Sequence, residues 1–511
     1  TSEATQSLIP ILEWLPRYSI RDNLVSDMIG GFTVGIMHVP QGIAYASLAG
    51  VRPVIGLNTS LMAPLIYMFF GTSRHISLGV FAVVSLMSGA CNVRETDAYF
   101  ASISSNYTDD ELSEAKLDYA LHVLSGLGFL VGLIQIAMGM LRLDFLISFL
   151  SDQVVNGFMV GASFHVSVAQ LDKLLGAALP RRLGRGKLFL IINDSIQSAI
   201  HGKINVYTTA LSAAAMIILF TVKTYVDPRV KRVVPLPMPY DLFLLILGII
   251  LSTVFDFHGT LKMKIIGHIP TGLPSVAPPD LTHLPHIFGD AAAIAVVILV
   301  VSISLGKVMA KKHKYEINIR QEFFALGLVE SIGSFFPVWP SSTALARTLV
   351  YEGAGTKTQF AIVFSSCLLL AVLMFVGPYL ELLPVCLLSC VIVVALKGMF
   401  MKIGDIPSLW KVSRIDAVIF VLTLCCTLSL EVIEGLACGA AVSIMHILLA
   451  SKRGGFTEVE FPLDNGDKRP IKVLRYDGAL YFMNTDAFAK TLRDHAKSLL
   501  NGLKLPQTRH N

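Results

Sequence analysis

The sequence predicts an all-α polytopic membrane protein: fourteen transmembrane segments in two inverted halves of seven, followed by a small α/β segment. Three observations predict it. The 511 residues are 54% hydrophobic and only 15% charged, with a mean hydropathy of +0.65, too apolar for a soluble chain. Apolar runs recur from Gly30 to about Ala450. Short, interrupted segments fall third in each half, the pattern of inverted-repeat transporters with a site at the bilayer midplane.

The net charge of +5 is modest and gives no reason to expect a nucleic-acid partner. The opening residues carry no secretory cleavage pattern, and the missing initiator Met points to a trimmed N-terminus. Cys91, Cys367, Cys386, Cys390, Cys425, Cys426 and Cys438 lie in or beside apolar runs. They are too scattered for a metal knuckle and too embedded for a disulfide framework, and read as packing residues. No nucleophile–base set or metal-ligand cluster appears, so the chain reads as a non-enzyme without cofactors.

Residues 1–26 form an amphipathic cytosolic lead-in, with Trp14 and Tyr18 beside Arg17 and Arg21. The first span (30–51) holds Pro40-Gln41-Gly42 at its middle, which reads either as a kink with a satisfied Gln or as a substrate-facing kink. A second span covers about 54–70. The third segment, apolar over 76–90, is too short to cross and follows Arg74-His75 and several hydroxyls, with Phe81 near its start. An acidic loop, 92–118, carries the glycosylation sequon Asn106-Tyr107-Thr108 and belongs outside. Spans four and five fall at 119–141 and 144–170. The stretch 173–200 is external by alternation although Arg181, Arg182, Arg185 and Lys187 make it basic, against the positive-inside bias. Spans six to nine fall near 206–226, 241–256, 290–309 and 322–336. The connections after spans six and eight are basic and cytosolic.

The tenth segment is the second broken one, FFPVWPSSTALARTLVYEGAGTKTQ (335–359). Pro337 and Pro340, the hydroxyls Ser341, Ser342 and Thr343, and Gly353 and Gly355 punctuate a helix of about a dozen residues, roughly 18 Å long. That is little more than half the hydrocarbon core. A helix starting inside the membrane presents unpaired N–H groups and partial positive charge to an anion, and Arg347 adds a full charge within two turns. The alternative is a helix broken for packing with Arg347 snorkelling to an interface. Two such starts facing each other favour the anion site. Spans eleven to fourteen fall near 359–380, 384–400, 416–432 and 435–451. The tail shows strand patterns at 471–476 and 479–483, then an amphipathic helix at 486–500.

The motifs VPQGIAYASLAGV, FFGTSRHISLGVFAVVSLMSG, KKHKYEINIRQEFFALGL and ARTLVYEGAGTKTQ resemble the sulfate permease family of anion transporters, solute carrier family 26, which includes the motor protein prestin. The resemblance covers about residues 10–455, and RYDGALYFMN resembles the first strands of the family's cytosolic STAS domain. It implies a transport domain (27–453) with core and gate parts, a partial STAS domain (454–511), homodimers contacting through the transmembrane and STAS domains, and membrane lipid as surroundings. It implies a plasma-membrane protein with both termini cytosolic. By motif position, Gln41 and Tyr45, Phe81, and Thr343, Ala344, Leu345, Ala346 and Arg347 line the anion site. Ala346 stands where many members have Ser, as in members resembling sulfate transporters. Val80 replaces a prestin Pro. Lys307 replaces the Glu of the proton-symport branch. Glu330 stands where many members have Asn; it reads as a coupling or pH-sensing group, or as a carboxylate paired to a Lys. The reading is a secondary anion exchanger for the sulfate, oxalate, chloride and bicarbonate class. Its rivals are an uncoupled chloride channel or voltage-driven motor, an anion–proton symporter, a nucleobase–cation symporter and a non-transporting scaffold. His38 and His75 read as structural.

Overall fold

The computed structural model describes residues 9–101, 108–143, 151–180, 182, 184–230, 232–233, 237–451, 455–461, 471–477, 488–490 and 492–493. Asn106, Arg181, the expected start of span five, all of the expected 479–483 strand and most of the expected 486–500 helix lie outside the described residues. The chain divides into two compact units, residues 1–439 and 440–511.

The first unit is helical. After a short turn at Ile11–Trp14, α1 spans Ile20–Ala49 and runs continuously through Pro40. It closes at Gly50, which takes the left-handed conformation that a helix C-terminus favours. Helix α2, Pro53–Phe70, returns with Pro at its first turn, where no N–H is needed. A Cβ on either Gly42 or Gly56 would meet the other helix's backbone, so glycines let α1 and α2 touch backbone to backbone.

The two-residue strand β1, Leu78–Gly79, leads into α3, Ala82–Phe100. Here the structure corrects the sequence reading. The third segment begins later than 76 and continues ten residues past 90, through what looked like an acidic loop. The polar residues of that extension are partnered, which is why they can be helical. Asn92 donates to the Ala49 carbonyl at 3.0 Å, Arg94 reaches Asp290 at 2.7 Å, and Asp97 holds Lys116 at 2.6 Å.

Helix α4, Asp109–Met140, opens with a capping box between Thr108 and Glu111. Then come α5 (Asp152–Val168), the short helix Leu171–Leu175, α6 (Lys187–Ile200) and α7 (Val206–Thr221). Helix α7 passes into a π-helical turn at Val222–Val226. Helices α8 (Tyr240–Phe255), α9 (Leu284–His313) and α10 (Ile319–Gly333) follow. Strand β2, Ser342–Thr343, precedes α11, Leu345–Gly353. The unit continues with α12 (Ala361–Ala371), α13 (Val385–Ala395) and α14 (Arg414–Ser429), and α15 (Val432–Ser451) crosses into the second unit. Among the described residues, seven helices are long and apolar enough to cross a membrane. The chain is a mostly helical, multi-pass membrane protein.

In the second unit, β3 (Gly455–Phe461) pairs antiparallel with β4 (Ile471–Asp477). The alternating pattern at 471–476 falls on β4, whereas β3 adds a strand that the sequence analysis does not assign.

Candidate functional site

Strands β1 and β2 pair antiparallel, with Leu78 opposite Thr343 and Gly79 opposite Ser342. The helices that follow them, α3 and α11, therefore leave the pair in opposite directions, with their N-termini together. Neither start is capped by a side chain: Phe81 and Ala344 occupy the N-cap positions and accept no N–H through a side chain. Several other helices also start without a side-chain cap, α1, α2 and α6 among them, whereas others are capped. Ser151, Asn205, Asn318 and Ser413 each accept from a first-turn N–H of α5, α7, α10 and α14. The two bare starts leave first-turn N–H groups and partial positive charge at one place.

Arg347 sits in the first turn of α11 and is fully buried. Its Nε donates to Ser77 Oγ at 2.9 Å, one terminal nitrogen donates to Gln41 Oε1 at 2.8 Å and the Val80 carbonyl at 3.0 Å, and the other to the Ser77 carbonyl at 3.2 Å. All of these acceptors are neutral. No carboxylate forms an ion pair with Arg347 among the described residues. Burying a guanidinium without a counter-charge costs several kcal/mol even when its hydrogen bonds are made. The snorkelling alternative is therefore overturned: Arg347 points inward, to the approach of the opposite helix.

Because an arginine only donates, its bond fixes the Gln41 amide with oxygen toward Arg347 and nitrogen away. That nitrogen makes no hydrogen bond among the described residues, and Gln41 borders a cavity of about 230 Å³ shared with Pro40, Ala346, Val350 and the Lys223–Asp241 ion pair. Ala346 is exposed into this space, and Ala344 and Leu345 are half-buried beside it. Tyr45 and Phe81 are both buried. Thr343 turns away: its hydroxyl donates to Ser302 of α9 at 3.2 Å. The structure thus brings Gln41, Ala346 and Arg347 into direct or adjoining contact and leaves the Thr343 hydroxyl committed elsewhere.

Glu330 is buried and has no lysine partner among the described residues. Its Oε1 accepts from the Ser341 N–H at 3.0 Å and the Ser341 hydroxyl at 2.8 Å. It thereby fixes the segment leading into β2. Lys307 is exposed on α9 and makes no bond to the site. His38 is buried beside Arg347, and His75 stacks on His313 with ring centroids 4.0 Å apart. Sequence reasoning missed Ser77 and Gly79. Gly79 has φ +146°, and a Cβ there would lie 2.6 Å from His38 Cε1 and 3.2 Å from the Arg347 guanidinium. The one available signal was the alternation of small and apolar residues in Ser77-Leu78-Gly79-Val80 before a helix.

A buried, uncompensated cation between two facing helix starts defines a membrane protein that handles anions. The model of the Sulfate permease family matches residues 24–423, and the chain belongs to that family, whose members are anion transporters and not enzymes. Its relatives include Sulfate permease family protein 3 of Caenorhabditis elegans, 34% identical over 95% of this chain and 68% of its own length. The Sulfate transporter of Mus musculus is 34% identical over 94% of this chain and 68% of its own, and Prestin of Danio rerio 34% over 96% and 69%. Identity therefore does not separate the sulfate-transporter and prestin branches. Among solved structures, the murine Solute Carrier 26 family member A9 anion transporter in the inward-facing state superposes with a TM-score of 0.87 at 27% identity, covering all of this chain and 83% of its own. The transmembrane domain of the cyanobacterial bicarbonate transporter BicA shares the fold, with a TM-score of 0.62 at 20% identity over 83% of this chain and 98% of its own.

Proposed function

We propose that this chain is a secondary anion exchanger of the sulfate, oxalate, chloride and bicarbonate class, working by alternating access. The observation that carries the reading is Arg347: a buried cation whose partners are all neutral has its missing counter-charge supplied by the substrate. The anion rests between the starts of α3 and α11. First-turn N–H groups and the Gln41 amide nitrogen donate to it, Arg347 supplies long-range attraction, and Tyr45 and Phe81 shape the pocket with ring edges. Ala346 leaves room for a larger oxyanion. The names of the murine sulfate transporter and the A9 anion transporter support the substrate class.

The same reading places fourteen segments in a seven-plus-seven inverted repeat, with a transport domain at 27–453, a partial STAS domain at 454–511, both termini cytosolic, and homodimers in the plasma membrane. The 230 Å³ cavity at Gln41 then opens to the cytosol, as in the inward-facing relative. No proton partner is needed, because Lys307 is not a carboxylate and Glu330 holds Ser341 as a positioning residue.

The test is uptake of labelled sulfate and chloride into proteoliposomes loaded with either anion. Exchange requires uptake to depend on the internal anion, and Arg347→Gln should lower it by more than about tenfold, a loss of 1.4 kcal/mol or more. Uptake indifferent to the internal anion, with steady current, transfers the reading to an uncoupled channel. Wild-type kinetics in Arg347→Gln overturn the site.

A further inference from the structure

A second cavity, about 320 Å³ in volume, lies along α1 beyond the first. Gln41 borders one cavity and Ser47 the other, six residues and about 9 Å apart along the helix. Ala44, Tyr45 and Ala46 are buried between them, so the two spaces are separated by packed side chains. The second cavity is walled on one side by α1 and α3 and on the other by the short helix Leu171–Leu175 and the start of α6. This is where the basic stretch 173–200 falls, which the central site does not use.

Its charges are unequally matched. Arg182 is neutralised by Asp194, with bonds of 2.7 and 3.1 Å, and His165 is bonded to the Thr427 carbonyl at 2.7 Å. Lys173 and Lys187 remain. Lys173 Nζ donates to Ser47 Oγ at 3.0 Å, a neutral partner on the opposite wall, and neither lysine forms an ion pair among the described residues. Asp172 lines the cavity too and accepts from the Lys173 backbone N–H at 2.8 Å; its charge offsets one of the two lysines, so the lining keeps a net positive charge. Lys187 is the first residue of α6, a helix whose start has no capping side chain and no acid in its first turn. A lysine there opposes the helix dipole, which is unfavourable unless an anion joins it. Two half-buried lysines lining one open-mouthed cavity form a receptor for a small inorganic anion.

We propose that this cavity is a second anion site, formed by Lys173 and Lys187, which takes the same halide or divalent oxyanion as the central site; Ser47 is only the partner that Lys173 holds until an anion displaces it. It rests on the exchanger reading above, in which α1 ends outside, so the cavity is the external antechamber. An anion entering it competes with Ser47 for Lys173, loosening a contact that joins α1 to the opposite wall. The site concentrates anions next to the closed barrier and makes opening on that side depend on external anion.

The experiment is sided kinetics in proteoliposomes, with labelled sulfate varied outside or inside. The Lys173→Gln/Lys187→Gln double variant should raise the apparent KM for external sulfate by about tenfold and leave the internal value within about twofold. Lys173→Arg/Lys187→Arg should restore the external value, because charge is retained. Ser47→Ala, which removes the contact but no charge, should keep external affinity. Equal changes on both sides, failure of the arginine pair to restore, or a Ser47→Ala effect as large as the double variant would overturn the proposal. Equilibrium binding of labelled sulfate to the purified chain separates it from the central reading. Arg347→Gln should keep the sulfate that the double lysine variant loses; loss of all binding in Arg347→Gln alone overturns the second site.

Discussion

The two helix starts at the centre of the molecule are built differently. The start of α11 carries its own cation, Arg347, and is held from behind by Glu330 through Ser341, four residues before the helix. The start of α3 carries no charge. Its approach is anchored further back, where Glu322 accepts from the Thr72 N–H at 2.7 Å and from Tyr67 at 2.8 Å. Between Ser73 and Phe81 that approach is held by the β1–β2 pairing, by the Thr348 hydroxyl, which accepts the Ser77 N–H at 3.1 Å, and by Arg347, which takes up the Ser77 carbonyl and hydroxyl and the Val80 carbonyl. One half supplies the charge and the other the acceptors that hold it in place. Two facing helix starts can thus share one buried cation, avoiding the repulsion that two would bring into the same space.

This dependence can be broken most severely at Gly79. Its backbone conformation is open to glycine, and its missing Cβ makes room for His38 and the Arg347 guanidinium. Gly79→Ala should displace Arg347 from both Ser77 and Val80 at once. The expected strain is about 1–3 kcal/mol, and anion uptake should fall by more than about tenfold while the protein still inserts. Near-normal uptake by surface-matched Gly79→Ala protein would show that the α3 approach does not need Arg347.

Glu330 tests the other half of the comparison, with a smaller effect. Glu330→Ala removes the acceptor for the buried Ser341 N–H and hydroxyl and should cost about 1–3 kcal/mol, read as a lowered melting temperature in detergent. Glu330→Gln keeps a carbonyl oxygen for the same bonds, so it should retain uptake and the wild-type pH profile. A flattened profile in the Gln variant would restore Glu330 to a coupling role.

Much of this was legible in the sequence, for reasons that differ by residue. The shortness of 341–353 and its Pro, Ser and Gly punctuation marked α11, and Arg347 stood out as a charge in an apolar run. Gln41 stood out as a polar residue beside Pro40 in an apolar span, and the family motifs added it to the site, but its bond to Arg347 spans 306 positions and leaves no local trace. What stayed hidden depends on tertiary partners. The length of α3 was misread because Asn92, Arg94 and Asp97 look like loop residues until Ala49, Asp290 and Lys116 meet them. The bond between Thr343 and Ser302, and the pinning of Ser341 by Glu330, likewise need the packing of α9 and α10 against β2.

The smallest expected effect is at Ala346, and it sharpens the comparison most finely. This residue is the exposed face of the charged start, in the cavity shared with Gln41. It follows the half-buried Ala344 and Leu345 and precedes the buried Arg347, so a serine hydroxyl there would point into open space without touching the guanidinium's partners. Ala346→Ser adds one donor and takes up little volume. A single hydrogen bond to a bound anion is worth about 0.5–1.5 kcal/mol, or about a two- to tenfold change in apparent affinity. The added oxygen also narrows the space for a tetrahedral dianion, so the ratio of chloride to sulfate uptake should rise by about threefold. Competition between the two labelled anions measures this ratio without needing absolute rates. An unchanged ratio would mean that the anion rests against the α3 start, leaving the charged half to act only at a distance.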